Sequence, residues 1–215
     1  MIHETAIITG AVDIHETARV EPYAVITGPA QIGADAYIGA HAVIGAPAQH
    51  HGTYPSPLNG KHIAAGVVIG ASACIREFST VHQGLRQPTR VGNGSLIMAG
   101  CHIAHDCQLG ACVTAGSYLA LGGFTYIGDH VTFGQGCVVH PWVVIGEGAM
   151  IGLNTSVIRD VDPYHKIAGA PARNIGSNDR KHDELHPDPE DVLADHALMI
   201  AARDQLKEVW YGSAA

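Results

Sequence analysis

A short segment near the middle of the chain carries two histidines and an aspartate in a pattern that suits acid–base chemistry. His102, His105 and Asp106 lie within the run Cys-His-Ile-Ala-His-Asp-Cys. A histidine titrates near neutral pH and acts as a general base when a hydrogen bond fixes its tautomer. A neighbouring carboxylate can provide that bond and stabilise the imidazolium, as in Ser-His-Asp triads. The pattern makes His105 a candidate base and Asp106 its partner; the alternative is a solvent-exposed histidine at a turn.

A six-residue period of aliphatic residues predicts the secondary structure that positions this segment. Large aliphatic residues recur at every sixth position through most of the chain, and a small or β-branched residue usually stands two positions earlier. Neither an α-helix nor an alternating strand has this period, whereas a hexapeptide β-helix does. The sequence therefore predicts an all-β solenoid in which three hexads, each a short strand and a turn, close one triangular coil. The clearest markers include Ile26, Ile32, Ile38, Ile44, Ile69, Ile75, Val81, Val91, Ile97, Ile103, Leu109, Ile127, Ile145 and Ile151.

Interruptions of the period divide the chain into segments. The β-helix is predicted over residues 1–160, with loops inserted at 46–66 and 83–90. Residues 161–187 are rich in proline, glycine and polar side chains and are expected to be coil.

The C-terminal segment predicts one α-helix over residues 188–211. Asp188 is a favourable N-cap and is followed by Pro189 at the first helical position. Met199, Leu206 and Trp210 are expected to pack on the coils or on a neighbouring subunit.

The predicted length of one coil, eighteen residues, places two glycines beside the candidate base. With three hexads in each coil, residues eighteen positions apart stack on one another, which sets Gly122 and Gly123 next to Ala104 and His105. Two residues without side chains leave a gap and expose backbone N–H groups, as an oxyanion hole requires. The alternative is a pair chosen only for its turn dihedrals. His140 lies almost two coils beyond His105 and is expected to face the same groove.

Composition excludes several classes of function. The formal net charge of −8 argues against binding to nucleic acid or to an anionic membrane. No apolar run is long enough for a membrane-spanning helix, and the first residues do not resemble a signal peptide. The five cysteines form neither a spaced disulfide framework nor a CxxC pair, so we expect a cytoplasmic protein without a zinc-thiolate site.

Two segments, residues 66–84 and 91–110, resemble the UDP-N-acetylglucosamine O-acyltransferase family of lipid A synthesis. The most specific matches are the Ile-Arg-Glu run around Arg76 and the His-Ile-Ala-His-Asp-Cys run. The resemblance implies a left-handed parallel β-helix and a homotrimer with sites between neighbouring solenoids. It implies transfer of an acyl group from acyl-ACP to a hydroxyl group of a nucleotide sugar, without a bound cofactor or metal; acyl-CoA is the alternative donor.

The same resemblance assigns roles to individual residues. His105 is the general base, Asp106 its partner, and the Gly122 N–H binds the thioester oxyanion. Leu153 stands where long-chain members have glycine, which predicts a shorter acyl pocket. The remaining assignments are His102, His140, Gly123, Gln49 and Arg76 to the acceptor and Met150 with Leu153 to the acyl pocket. Arg173 is assigned to the donor by a second resemblance, that of its segment to acetyltransferases.

Two alternatives use the same fold. The Gly-Ala-Pro-Ala-Arg run at 169–173 resembles the end of many acetyltransferase solenoids, so a coenzyme A-dependent sugar O- or N-acetyltransferase stays open. A trimeric metal enzyme of the hexapeptide carbonic anhydrase type would use His82, His102 and His105 as ligands. That type usually pairs two ligands five residues apart, whereas the close pair here is three apart.

Overall fold

The computed structural model describes residues 1–49, 64–185 and 188–212, and it shows a parallel β-solenoid with helices at its C-terminal end. In chain order the strands are β1 (Ile7–Thr9), β2 (Val12–Ile14), β3 (Arg19–Val20), β4 (Val25–Thr27), β5 (Ala30–Ile32), β6 (Tyr37–Ile38), β7 (Val43–Ala46), β8 (Val67–Ile69), β9 (Cys74–Ile75), β10 (Thr80–His82), β11 (Thr89–Val91), β12 (Leu96–Ile97), β13 (His102–Ile103), β14 (Gln108–Leu109), β15 (Thr114–Ala115), β16 (Ala120–Leu121), β17 (Tyr126–Ile127), β18 (Thr132–Phe133), β19 (Val138–Val139), β20 (Val144–Ile145), β21 (Met150–Ile151), β22 (Ser156–Val157), β23 (His165–Ala168) and β24 (Arg173–Ser177). The helices are α1 (Asp179–Leu185) and α2 (Pro189–Gly212).

The strands form three sheets because each strand from β1 to β19 pairs with the strand three later. Sheet 1 runs β1-β4-β7-β10-β13-β16-β19-β22, sheet 2 runs β2-β5-β8-β11-β14-β17-β20, and sheet 3 runs from β3 to β21 and ends with β23 and β24. From β1 to β22 the register matches residues eighteen apart wherever no loop intervenes, for example Ile103 opposite Leu121. The predicted β-helix of hexapeptide repeats is therefore confirmed.

The core fills the lumen of the solenoid. From Val20 onward, the aliphatic marker of each hexad and its small partner point inward, and both are almost fully buried, as Ile103 and Cys101 illustrate. β-branched and aliphatic side chains suit such short, doubly constrained strands. Because inward and outward positions alternate along a strand, burial of the markers directs the residues between them to the outer faces and corners.

One corner of the triangle carries the candidate site. Between sheets 1 and 2, Asp106, Phe124 and Trp142 stack one coil apart, and their φ angles of 62°, 59° and 69° are all left-handed. The amide of Phe124 donates to the carbonyl of His105, and the amide of Trp142 donates to the carbonyl of Gly123. The chain thus turns in the same way at three successive coils, which superimposes their corner side chains.

Both inserted loops leave the solenoid near the predicted positions. The first lies between β7 and β8, and most of it, residues 50–63, falls outside the described part of the chain. The second is shorter than expected, spanning residues 83–88 between β10 and β11.

The prediction of coil over residues 161–187 is wrong. β23 pairs in parallel with β21 and adds one more strand to sheet 3, and β24 pairs antiparallel with β23. The glycine and proline residues that suggested coil form the turn between these two strands. The short helix α1 follows, so the long C-terminal helix is not the only helix after the solenoid.

The predicted C-terminal helix is present as α2 and lies along sheet 2 against β20. One face, with residues three or four apart, packs on the solenoid. Its members are Val192, His196 and Arg203, which are buried, and Met199, Leu206 and Trp210, which are half-buried. No helix in the described ranges has the length and hydropathy to cross a bilayer.

Candidate active site

His105 and Asp106 form a buried pair at the corner between sheets 1 and 2. The His105 Nδ1 lies 2.8 Å from the Asp106 Oδ2, and the two residues are 7% and 0% exposed. A carboxylate can only accept, so the imidazole donates through Nδ1 and turns Nε2 outward. Ile103 and Cys107 are held in the lumen on either side, which leaves the three residues between them to form the corner.

The second loop supplies three of the hydrogen bonds that hold the Asp106 carboxylate. The amide of Leu85 donates to Oδ2 at 2.9 Å, and the amides of Arg86 and Gln87 donate to Oδ1 at 2.7 and 2.9 Å. The amide of Asp106 itself donates to the hydroxyl of Thr89 at 2.8 Å. With the bond from His105, the carboxylate accepts four hydrogen bonds, and its orientation is therefore fixed.

The assignment of the oxyanion donor to Gly122 is wrong. Its N–H donates to the carbonyl of Val139 at 2.9 Å and continues the ladder of sheet 1, so it is not available to a ligand. The next residue, Gly123, begins the corner and packs against the base. A Cβ at Gly123 would lie 2.7 Å from Cε1 and 2.8 Å from Nε2 of His105. Among the described residues, no acceptor is bonded to the Gly123 N–H.

Two further histidines line the site and are held neutral. His102 Nδ1 lies 2.9 Å from the Thr80 hydroxyl, and His82 donates through Nδ1 to the carbonyl of Pro47 at 2.7 Å. Their rings meet edge-on at 4.8 Å. Burial lowers the pKa of His102 to about 4, and the neighbouring His82 and His105 add to this effect. Burial likewise lowers the pKa of His82. Both rings therefore offer polar but uncharged groups at neutral pH.

These residues surround a cavity of about 420 Å³. Its described lining contains no lysine, arginine, aspartate or glutamate. Five of the predicted site residues line this cavity: Gln49, His102, His105, Gly123 and His140. His140 is the exposed histidine among them. The lining consists of Gln49, His82, His102, Ala104, His105, Gly123, Phe124, His140, Pro141, Trp142, Trp210 and Tyr211.

The structure does not bring the other predicted residues to this cavity. Arg76 follows β9 and pairs with its own neighbour Glu77, with 2.8 Å between Nε and Oε2. Met150 lies in β21 of sheet 3 and Leu153 at the corner between sheets 3 and 1, and they are 43% and 68% exposed. Arg173 borders a separate cavity of about 500 Å³ at the C-terminal end of the solenoid.

Four aromatic residues of the lining were missed by the sequence reasoning. Phe124 and Trp142 lie one and two coils beyond Asp106, so the arithmetic that found the glycines would also have found them. Trp210 and Tyr211 belong to α2, and no repeat connects that helix to the corner.

The described residues do not support the metal alternative. Within the three described ranges, no group of three or more histidine, cysteine, aspartate or glutamate side chains is arranged to hold a metal ion.

Comparison with known proteins agrees with this geometry. The family model for the bacterial transferase hexapeptide (six repeats) matches residues 11–46 and 124–159. Acyl-(acyl-carrier-protein)–UDP-N-acetylglucosamine O-acyltransferase from Anaeromyxobacter sp. (strain K) is 38% identical over 130 residues, 59% of this chain and 51% of that protein. The chain thus spans about half the length of that relative.

Two further comparisons extend over more of the chain. The protein of the same name from Campylobacter concisus (strain 13826) is 30% identical over 178 residues, 76% of this chain and 68% of its own length. The crystal structure of the Francisella novicida UDP-N-acetylglucosamine acyltransferase superimposes with a TM-score of 0.75 at 26% identity, covering 89% of this chain and 76% of that one. The chain belongs to the acyl-(acyl-carrier-protein)–UDP-N-acetylglucosamine O-acyltransferase family.

Proposed function

We propose that this protein transfers an acyl group from a thioester carrier to a hydroxyl group of a nucleotide sugar. The observation that carries the proposal is the His105–Asp106 pair, whose 2.8 Å bond fixes Nδ1 and leaves Nε2 beside Gly123 at the cavity. The names of the relatives from Anaeromyxobacter and Campylobacter support acyl-ACP as donor and UDP-N-acetylglucosamine as acceptor.

The reaction follows from the geometry of these residues. Nε2 of His105 takes the proton of the acceptor hydroxyl while its oxygen attacks the thioester carbonyl. The Gly123 N–H hydrogen-bonds the oxygen that becomes negative, and Asp106 stabilises the imidazolium. The tetrahedral intermediate then collapses, the C–S bond breaks, and the leaving thiolate takes the proton from His105. A positioned base contributes about 10²–10⁴-fold and an oxyanion donor about 10²–10³-fold.

A homotrimer would complete the site. Arg76, Met150 and Leu153 lie on or beside sheet 3, so they reach the cavity at the corner between sheets 1 and 2 only if they come from a neighbouring copy. The family resemblance supports three copies with sites between solenoids. In that arrangement Leu153 limits the length of the acyl chain, and we expect a short-chain donor.

Acyl-CoA is the alternative donor. Acyl carrier protein is acidic and this chain has a net charge of −8, so docking of ACP needs a local basic patch. Arg173, in the segment that resembles acetyltransferases, borders the cavity of about 500 Å³ at the end of the solenoid and is the residue we assign to the donor. We place the reaction in the cytoplasm; that all five cysteines are free thiols agrees with a reducing compartment.

The test combines a donor panel with one substitution. The protein is incubated with UDP-sugars and with acyl-ACP and acyl-CoA of several chain lengths, and acylated products are detected by mass. His105→Ala is expected to lower kcat by about 10²–10⁴-fold, because it removes the base. His3→Ala, an exposed histidine far from the cavity, is the control. Transfer from CoA alone would exclude ACP, and full activity of His105→Ala would exclude the mechanism.

A further inference from the structure

Four aromatic side chains form a continuous wall on one side of the His105 cavity. Phe124 and Trp142 stack in parallel, with ring centroids 3.9 Å apart and planes within 1°. Trp210 meets Phe124 at 5.0 Å and 62°, and Tyr211 lies 6.1 Å from Trp142. The edge of this wall touches the base, because the His105 ring lies 5.1 Å from Phe124 at 87°. We call Phe124, Trp142, Trp210 and Tyr211 the aromatic wall.

An ion pair between the buried Arg203 and the exposed Asp160 fixes the outer half of the aromatic wall. Arg203 of α2 is 7% exposed and donates through Nη1 to Asp160 at 2.6 Å and to the carbonyl of Trp142 at 3.2 Å. Trp210 follows Arg203 by two helical turns, about 10 Å along the same face of the helix. The anchor therefore determines where Trp210 and Tyr211 meet the solenoid.

The second loop holds the wall from the other end. The guanidinium of Arg86 lies 5.5 Å from the centre of the Trp210 ring, and the amide of Arg86 donates to Asp106. A cation over an indole face is attractive, most of all when partly desolvated. One loop thus connects the carboxylate behind the base with the aromatic residue that closes the cavity.

The cavity has two chemically different sides. One part of the lining, His82, His102 and Gln49, presents neutral hydrogen-bonding groups, and another part is the flat, apolar aromatic wall. A pyranose ring has the same division, with hydroxyl groups around its edge and C–H bonds on its faces. An aromatic face packs against those C–H bonds while polar groups bind the hydroxyls. His105, which packs directly against Gly123, lies in the same lining.

We infer that Trp210 and Tyr211 of α2 are acceptor-binding residues that stack on the sugar ring and present its hydroxyl group to His105. This rests on the proposed function for the identity of the reaction, but the stacking itself can be measured without turnover. α2 then acts as a specificity element of the active site, in addition to packing on the solenoid.

The two tryptophans of the chain allow a direct measurement. Both Trp142 and Trp210 line the cavity, so tryptophan fluorescence reports its occupancy. Titration with UDP-N-acetylglucosamine and with N-acetylglucosamine should change the emission, and Trp210→Phe should retain binding. UDP alone should change it much less. An equal response to UDP alone would mean that the wall holds the nucleotide and would overturn the inference.

Steady-state kinetics separates this inference from the proposed function. Trp210→Ala should raise KM for the acceptor about tenfold and Tyr211→Ala several-fold, with kcat and the donor KM changed less, because stacking is lost equally from ground and transition states. Val209→Ala and Leu198→Ala, exposed residues of the same helix, are the matched controls, and thermal unfolding verifies each fold. An unchanged acceptor KM in an active Trp210→Ala enzyme overturns the inference but not the function. Absence of transfer by the parent protein overturns the function, while the sugar titrations still decide the stacking.

Discussion

Each histidine of the site is oriented by a hydrogen bond from outside the cavity. Nδ1 of His105, His102 and His82 is engaged by a carboxylate, a hydroxyl and a backbone carbonyl respectively. These bonds determine which ring nitrogen carries the proton in each imidazole. The tautomers of the three imidazoles are therefore determined by the hydrogen-bond partners Asp106, Thr80 and Pro47.

Acidification should destabilise the fold through His102. Its folded pKa is about 4 against 6.5 for an unperturbed histidine, so between these values the unfolded chain binds a proton that the folded chain does not. His82 and His105 face the His102 ring, and a positive charge on either of them lowers the pKa of His102 further. The pKa of His82 is itself lowered by burial, so His82 adds to the destabilisation on acidification. The melting temperature should fall between about pH 7 and about pH 5, and less so in His102→Gln. His3→Gln is the exposed control, and an equal fall in all three proteins would contradict the assignment.

Gly123→Ala should inactivate the enzyme without unfolding it. The new Cβ would come within 2.8 Å of His105 Nε2, so the imidazole must move away from the acceptor. A displaced base should cost at least about 10²-fold in kcat. Gly94→Ala is the comparison, because its nearest contact is the Cys112 Sγ at 3.5 Å, at a corner remote from the base. Equal activities of the two variants, measured with the preferred donor, would refute a close approach at Gly123.

The one-residue error over the oxyanion donor has a physical cause. Spacing showed that a pair of glycines stacks on Ala104 and His105, and this register is what the sheet has. Spacing does not show where the strand stops bonding and the corner begins. Gly122 still belongs to the ladder through Val139, and only the residue after it has left the ladder. The direction of a single N–H group depends on that boundary, which the hexad period leaves undefined.

Two elements of different origin converge on the corner between sheets 1 and 2. The loop at 83–88 reaches it from β10, and α2 reaches it from the end of the chain. The interrupted period correctly predicted that a loop leaves the solenoid there, but not that three of its amides bind Asp106. The amphipathic spacing of α2 predicted a packed face, but its location on its own solenoid depends on Arg203 and Asp160, which no repeat connects.

Asp106→Asn should loosen the loop as well as weaken the base. An amide places an NH₂ group among N–H donors and no longer accepts from His105 and from Leu85, Arg86 and Gln87 together. Leaving buried donors unpaired costs about 1–3 kcal/mol each. We expect faster hydrogen exchange at the amides of residues 85–87 and a kcat at least about tenfold lower.

The control for this variant is Asp129→Asn. Asp129 is an exposed corner aspartate of another coil that accepts from a single amide, that of Ala111 at 2.8 Å. The Asp129→Asn variant should leave both kcat and the hydrogen exchange of the amides of residues 85–87 unchanged. If Asp106→Asn lowers kcat while those amides stay protected, the loop does not depend on the carboxylate.

The whole molecule is a stack in which each coil contacts only its neighbours. In the central coils one large aliphatic side chain from each hexad fills the lumen, except in two neighbouring hexads of sheet 3. Ala115 takes such a position in β15, and Phe133, its ladder partner in β18, is among the largest fully enclosed side chains. A small residue in one coil is thus matched by a ring in the next, which keeps the packing density of the lumen even.

Phe133→Ala tests this complementarity. It would leave two consecutive alanines on sheet 3 and a cavity beneath the active-site coils, so the free energy of unfolding should fall by about 3–5 kcal/mol. Phe78→Ala, an exposed corner ring, should change it by no more than about 0.5 kcal/mol. Ala115→Leu in the Phe133→Ala background should recover part of the loss, because the added side chain enters the same space from the neighbouring coil. Urea unfolding of the four proteins measures these values. A double variant no more stable than Phe133→Ala would show that the two coils are packed independently, since direct neighbours in one lumen must couple.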